Sequence, residues 1–233
     1  MVQRIAITGT SRGLGLEFCR QYLERGARVF ALSRDVEGGG LSDLARAFPE
    51  QLHRLPCDVT DARAVQSAFA EIRGLVPGLE LLLHNAGVAG ATSAELGGVD
   101  YDDLRRVLEV NAVAPLRVVE CAVPLLRRGA QPRAVLMTSR MGSLADNESG
   151  GWWAYRISKA ALNMVGKNAA LALRRDRIPV MLLHPGWVRT DMGGPGAPLS
   201  VEESVRGMVR VIEDLQPDAT GCFRDYTGAD VPW

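Results

Sequence analysis

The chain has 233 residues, 47% apolar and 23% charged, which is enough to bury a sizeable core within one domain. Lysine plus arginine equals aspartate plus glutamate at 27 each, so no overall basic field draws it to nucleic acid or anionic lipid. No segment approaches the ~20 uninterrupted apolar residues of a membrane span and the first ten residues lack a leader pattern, so a cytoplasmic protein with small-molecule or protein partners is expected.

Residues 4 to 7 read as a short β-branched strand running directly into Thr8-Gly9-Thr10-Ser11-Arg12-Gly13-Leu14-Gly15 and then a helical pattern. Glycines at 9, 13 and 15 permit positive φ and close backbone approach, and the helix that follows offers unpaired N–H groups and a positive dipole to a pyrophosphate. Because residues 27 to 34 supply a second strand and close a βαβ unit, the turn reads as a dinucleotide site. Gly9-x-Ser11-x-Gly13 also spells the nucleophile elbow of serine hydrolases. Against that reading, only one strand precedes Ser11 and no earlier loop supplies an oxyanion hole.

The second strand ends in Ser33-Arg34. A carboxylate here would hold a ribose 2′-OH, whereas an arginine grips a 2′-phosphate; Ser33 in the acid's place, Arg34 beside it and Arg12 in the turn argue for NADPH. Glu37 to Gly40 reads as a flexible connection. The third strand ends near Cys57-Asp58-Val59, where Asp58 either meets an adenine amino group or caps the next helix, and Thr60 or Asp61 is its expected N-cap. Residues 79 to 84 form a continuous apolar strand, the mark of a sheet covered on both faces, and lead into Asn85-Ala86-Gly87.

Tyr101 to Arg128 carries helical periodicity, with Asn111 inside it as either a buried hydrogen-bonded link or a holder of ordered water, and Pro115 marking a kink or a new helix. A fifth strand delivers Ser139 to the same edge, followed by a loop in which Ser143 is the rival hydroxyl. Tyr155 and Lys159, four apart on a helix, project from one face, so the ammonium can favour phenolate and make the pair an acid/base device. Residues 178 to 186 form a sixth strand, and the Gly/Pro-rich stretch of about 187–200 is a candidate lid over substrate. A short helix over 201 to 215 and a final edge strand complete an alternation without repeat or linker, which predicts one domain over 1–233. Cys19, Cys57, Cys121 and Cys222 lack Cys-x-x-Cys spacing and read as reduced thiols rather than disulfides or metal ligands; His53, His84 and His184 read as structural.

Taken together, Thr8 to Gly15, Asn85-Ala86-Gly87, Asn111, Ser139, Tyr155-x-x-x-Lys159 and Pro185-Gly186 resemble the short-chain dehydrogenase/reductase family along essentially the whole chain. Within it, the run from Thr138 to Met164 and the ending from Asp225 to Trp233 resemble the C-factor-like and sniffer-like carbonyl reductase branch. The resemblance implies an α/β, Rossmann-type doubly wound parallel sheet of about seven strands in the order 3-2-1-4-5-6-7, with helices on both faces. It implies NADP(H) as cofactor and reduction of a small aldehyde or ketone, or oxidation of the alcohol. Ser139 would bind the carbonyl, Tyr155 donate the proton, Lys159 lower the tyrosine pKa while holding the nicotinamide ribose, and Asn111 fix a water in the proton relay.

By the same resemblance Gly9, Ser11, Arg12, Gly13 and Leu14 would line the cofactor, with Ser33, Arg34, Asp58 and Val59 around its adenosine end. Asn85, Ala86, Gly87, Pro185, Gly186, Val188 and Thr190 would line the remainder, together with Tyr155 and Lys159. His84 departs from the usual Asn-Asn-Ala-Gly pattern. Met141, Trp152, Trp153, Trp187 and Met192 either line a mostly apolar substrate pocket or belong to a subunit contact. Family members often pair through the helices around Asn111 and Tyr155, so a homodimer or homotetramer is implied. A cofactor-binding signalling or scaffold protein with little turnover is the alternative reading.

Overall fold

The computed structural model describes residues 2–92 and 95–233. Strands β1 (Arg4–Thr8), β2 (Arg28–Ser33), β3 (Leu52–Pro56), β4 (Leu81–His84), β5 (Arg133–Met137), β6 (Val180–His184) and β7 (Cys222–Asp225) form one parallel sheet. Its order, β3-β2-β1-β4-β5-β6-β7, is the expected one. Parallel neighbours need crossover connections, and the helices supply them: α1 (Gly13–Glu24), α2 (Gly39–Ala47), α3 (Ala62–Leu75), α4 (Tyr101–Leu108), α5 (Ala114–Leu126), α6 (Trp153–Leu173) and α7 (Val201–Glu213).

Strand side chains alternate between two cores. Ile5, Ile7, Leu81 and Leu83 pack with α1, α2 and α7, whereas Ala6, Leu82 and Leu136 pack with α3, α5 and α6. Both faces of β4 are therefore covered, which is why it reads Leu81-Leu82-Leu83 without polar alternation. Leu82 and Leu83 are completely buried, each contributing on the order of 2 kcal/mol of hydrophobic stabilisation.

Local signals set the helix starts. Asp61, one of the two expected caps of α3, accepts from Arg63 N at 2.8 Å and Ala64 N at 3.3 Å. Ser200 and Glu203 form a reciprocal capping box on α7. Two stretches are shaped differently from a plain reading of periodicity. Glu37 to Gly40 is not a free connection: Asp35 accepts from Glu37 N and Gly38 N, and Gly39 and Gly40 already belong to α2, which is anchored by the fully buried Leu41. Tyr101 to Arg128 is interrupted by a π-helical turn at Glu109–Val113, after which α5 begins with Pro115 in its first turn. Among the described residues no helix is long and apolar enough to cross a membrane.

Candidate active site

The strand order reverses between β1 and β4, and the loops leaving their C-terminal ends meet there. Asn85 N and Ala86 N each donate to Thr8 Oγ1 at 3.1 Å, while Asn85 Nδ2 donates to Thr8 O at 3.2 Å and Gly9 O at 3.0 Å. Gly9 has φ +72°, and a Cβ there would stand 2.8 Å from Ala86 Cα; one at Gly15 would run into the Gly9 carbonyl oxygen. The missing side chains let the turn lie against the β4 loop. Helix α1 starts with no side-chain cap and no acidic residue in its first turn, so its N–H groups and dipole stay available to an anion. Among the described residues no histidine hydrogen-bonds Ser11: His84 bonds Thr8 and His53 bonds Arg28.

At the end of β2, Ser33 is buried and donates to Asp35 O at 2.8 Å, while Arg34 is exposed and unpaired among the described residues. Asp58 accepts from Thr60 N and Thr60 Oγ1 at 2.9 and 2.7 Å; these bonds, helped by the charge of Arg34, hold its carboxyl below the usual carboxylate range. Since Asp61 caps α3, Asp58 is not spent on that helix, and Val59 beside it is buried. Arg12 pairs with Asp191 across the cleft, both side chains exposed. The donor set therefore fits a phosphorylated dinucleotide: a glycine cradle, an uncapped helix start, an Arg34 unpaired among the described residues, and Arg12, which is shared with Asp191.

Ser139 follows β5, and Tyr155 and Lys159 stand one turn apart on α6. The Ser139 hydroxyl stands close enough to the Tyr155 phenol to lower its pKa, and accepts from Met141 N at 3.2 Å. Burial raises the pKa of the half-buried Tyr155, and the nearby Ser139 hydroxyl offsets part of that rise. Lys159 is only 5% exposed; its Nζ donates to Met137 O at 2.9 Å and lies 5.6 Å from the centre of the Tyr155 ring. Burial brings its pKa down to about 8. The charge expected to acidify the phenol thus lies over the ring and bonds a backbone carbonyl, and the group that lowers the phenol pKa is Ser139.

Asn111 lies in the π-helical turn and is completely buried. Its Oδ1 accepts from Val88 N at 2.9 Å, and its Nδ2 donates to Val88 O at 2.8 Å and to Ser158 Oγ at 2.9 Å. Three hydrogen bonds hold the amide as a structural link, which leaves one Oδ1 lone pair and the backbone oxygens of the turn able to accept from a water. Gly87 adjoins this group: a Cβ on it would lie 3.2 Å from Asn111 Oδ1 and 3.5 Å from Lys159 Nζ. Ser143 is drawn elsewhere, donating to Trp233 O at 3.1 Å and accepting from Asp146 N at 3.0 Å.

After β6, Pro185 O accepts from Ser204 Oγ at 2.7 Å and Gly186 takes φ +83°. The 187–200 loop is closed on itself. Trp187 Nε1 donates to Gly193 O at 2.8 Å, Gly193 N to Thr190 Oγ1 at 3.1 Å and Arg189 Nη1 to Pro198 O at 2.7 Å, while Val188 bridges to Leu199. Thr190 reaches the glycine turn, its Cγ2 3.7 Å from a Cβ built on Gly13.

Contacts of four residues of the site escaped sequence reasoning. Thr8 Oγ1 accepts two N–H groups, so its own proton goes to His84 Nδ1, 3.2 Å away; His84 Nε2 is then a buried, unpartnered N–H. Burial and then the Lys159 charge lower the His84 pKa to about 3. Ser158 joins Asn111 to the Tyr155 carbonyl, and Arg156 ties the loop before α6 to the helix. No spacing rule marks these contacts.

A doubly wound sheet whose reversal point carries a glycine cradle, with a tyrosine, serine and lysine gathered at the same edge, defines a Rossmann-type oxidoreductase. The short chain dehydrogenase family profile matches residues 3–197, and the chain belongs to that family. C-signal of Myxococcus xanthus is 53% identical over 155 residues, covering 66% of this chain and 93% of that protein. The carbonyl reductase Sniffer of D. melanogaster superposes over 100% of both chains with a TM-score of 0.95 and 34% identity. An NADPH-bound carbonyl reductase from chicken fatty liver covers 100% of this chain and 99% of its own, with a TM-score of 0.92 and 31% identity.

Proposed function

We propose that this chain is an NADPH-dependent reductase of small aldehydes or ketones, with Tyr155 as the general acid. The observation that carries the proposal is the gathering of Ser139 and Tyr155 at one edge with the buried Lys159, whose Nζ lies 5.6 Å from the centre of the phenol ring. When bound, NADPH supplies the hydride. The turn from Gly9 through Ser11, Gly13 and Leu14 and the start of α1 would hold its pyrophosphate, with Arg12 and Arg34 on the 2′-phosphate and Asp58 and Val59 beside the adenine. Asn85, Ala86, Gly87, Pro185, Gly186, Val188 and Thr190 would line the rest.

Two hydroxyls, of Ser139 and Tyr155, would hold the carbonyl oxygen, and Tyr155 Oη would deliver the proton as negative charge develops there. Lys159 would hold positive charge near the resulting phenolate, and backbone oxygens of the Asn111 turn would hold the water that returns the proton. General-acid catalysis is worth roughly 10²–10⁴-fold, so Tyr155→Phe is expected to lower kcat by that factor while leaving NADPH affinity within about threefold. Unchanged turnover in the variant overturns the assignment.

The exposed apolar residues Leu116 on α5 and Ile157, Met164 and Leu171 on α6 support a homodimer or homotetramer formed through these helices. The 53% identity to C-signal favours a second reading, a cofactor-dependent signalling protein with little turnover. Tight NADPH binding without reduction of any carbonyl in a broad panel would support it.

A further inference from the structure

Trp152 occupies the N-cap position of α6, where extended backbone is the rule, yet it is left-handed at φ 49°, ψ 43° and caps nothing with its side chain. Gly150 and Gly151 before it are also left-handed, at φ +63° and +66°, which costs a glycine nothing. Among the described residues the only other non-glycine with positive φ is Arg177, which closes a helical turn where such a conformation is ordinary. A bulky aromatic held left-handed needs surroundings that over-determine it. Those surroundings are present: Arg156 donates to Gly150 O at 3.0 Å, Ser149 Oγ at 2.8 Å and Met141 O at 3.4 Å, and Gly150 N donates to Asn147 Oδ1 at 3.1 Å.

The backbone conformation brings the indole edge-on to the Tyr155 ring, with centroids 6.4 Å apart and planes at 66°. The indole stays half-buried. The two loops bordering this edge also present large apolar side chains to solvent, Leu144 at 81% exposure on one and Trp187 at 59% on the other. We infer that Trp152 determines specificity: its indole is the wall against which the flat apolar substituent of the carbonyl substrate lies, so aromatic carbonyls are preferred over short aliphatic ones. The inference rests on the carbonyl-reductase reading and adds a substrate class to it. Stacking on an aromatic wall favours a planar π-bearing group over an alkyl group of similar size, and it acts on binding more than on the proton step.

The test compares kcat and KM for benzaldehyde and propanal, with NADPH, in the wild type, Trp152→Asn and Trp152→Phe. Asparagine tolerates the left-handed backbone, so the variant keeps the fold while removing the ring; thermal denaturation checks this. The expected result is a roughly 10-fold or greater fall in kcat/KM for benzaldehyde, carried mainly by KM, with propanal changed less than about threefold and Trp152→Phe in between. An active wild type whose preference for benzaldehyde survives Trp152→Asn, or a variant that loses both substrates equally, overturns this inference alone. A wild type that reduces neither aldehyde removes it together with the carbonyl-reductase reading.

Discussion

Burying Lys159 sets a conflict between stability and chemistry at a single side chain. Its pKa falls from the model-compound value of 10.5 to about 8 because burial disfavours the ammonium. Between those values the unfolded chain binds the proton and the folded chain does not, so stability rises with pH from about 8 to 10.5. At neutral pH the buried charge costs at most about 3 kcal/mol, less whatever Met137 O returns. Lys159→Met is therefore expected to raise the Tm at pH 7 by several degrees while removing turnover, with the stability gap closing as pH approaches 10.5. Thermal denaturation of both proteins from pH 7 to 10 measures it; a variant less stable than wild type by a pH-independent margin contradicts it. His84 makes the opposite accommodation, staying neutral in the sheet interior with a pKa of about 3.

At the scale of elements, cofactor choice depends on what leaves β2 and what opens α1. Arg34 is exposed and unpaired, whereas Arg12 already faces Asp191 on the 187–200 loop. Arg34 is thus the cation with charge to spare, and hydrogen bonds to charged groups are worth roughly 1.5–3 kcal/mol. Arg34→Gln is expected to weaken NADPH binding about 10-fold or more and leave NADH binding nearly unchanged, measured by fluorescence titration of both. Equal losses for the two cofactors contradict the phosphate role. The elements themselves were legible because each carries its own signal: β-branched or leucine runs buried on both faces, glycines at a strand-to-helix turn, and aspartate or serine caps. The Glu37–Gly40 stretch was misread because its glycines suggest freedom, while the Asp35 turn and buried Leu41 that convert it into the start of α2 are contacts rather than composition.

For the whole molecule, the sheet order puts every chemical group at one edge, so Ser11, Asp58, Asn85, Ser139 and Pro185 could be read from where their strands end. The placement of Tyr155 and Lys159 on one face of a helix was legible from their spacing, about one helical turn, but their pairing with Ser139 and Asn111 came from the motifs taken together. Contacts spanning the chain were not: Thr8 meets His84 across 76 residues, and Ser143 meets Trp233 across 90. Neither periodicity nor motif spacing records such meetings, and the left-handed backbone of Trp152 leaves no mark in composition. The central claim is that this edge reduces a carbonyl with Tyr155 supplying the proton. Its most direct test is mass spectrometry of the product formed from benzaldehyde and NADPH deuterated on the transferable position of C4. The account requires benzyl alcohol carrying one deuterium on the carbinol carbon from the wild type, and a hundredfold or greater drop in its formation by Tyr155→Phe; unlabelled alcohol, or equal formation by the variant, would contradict it.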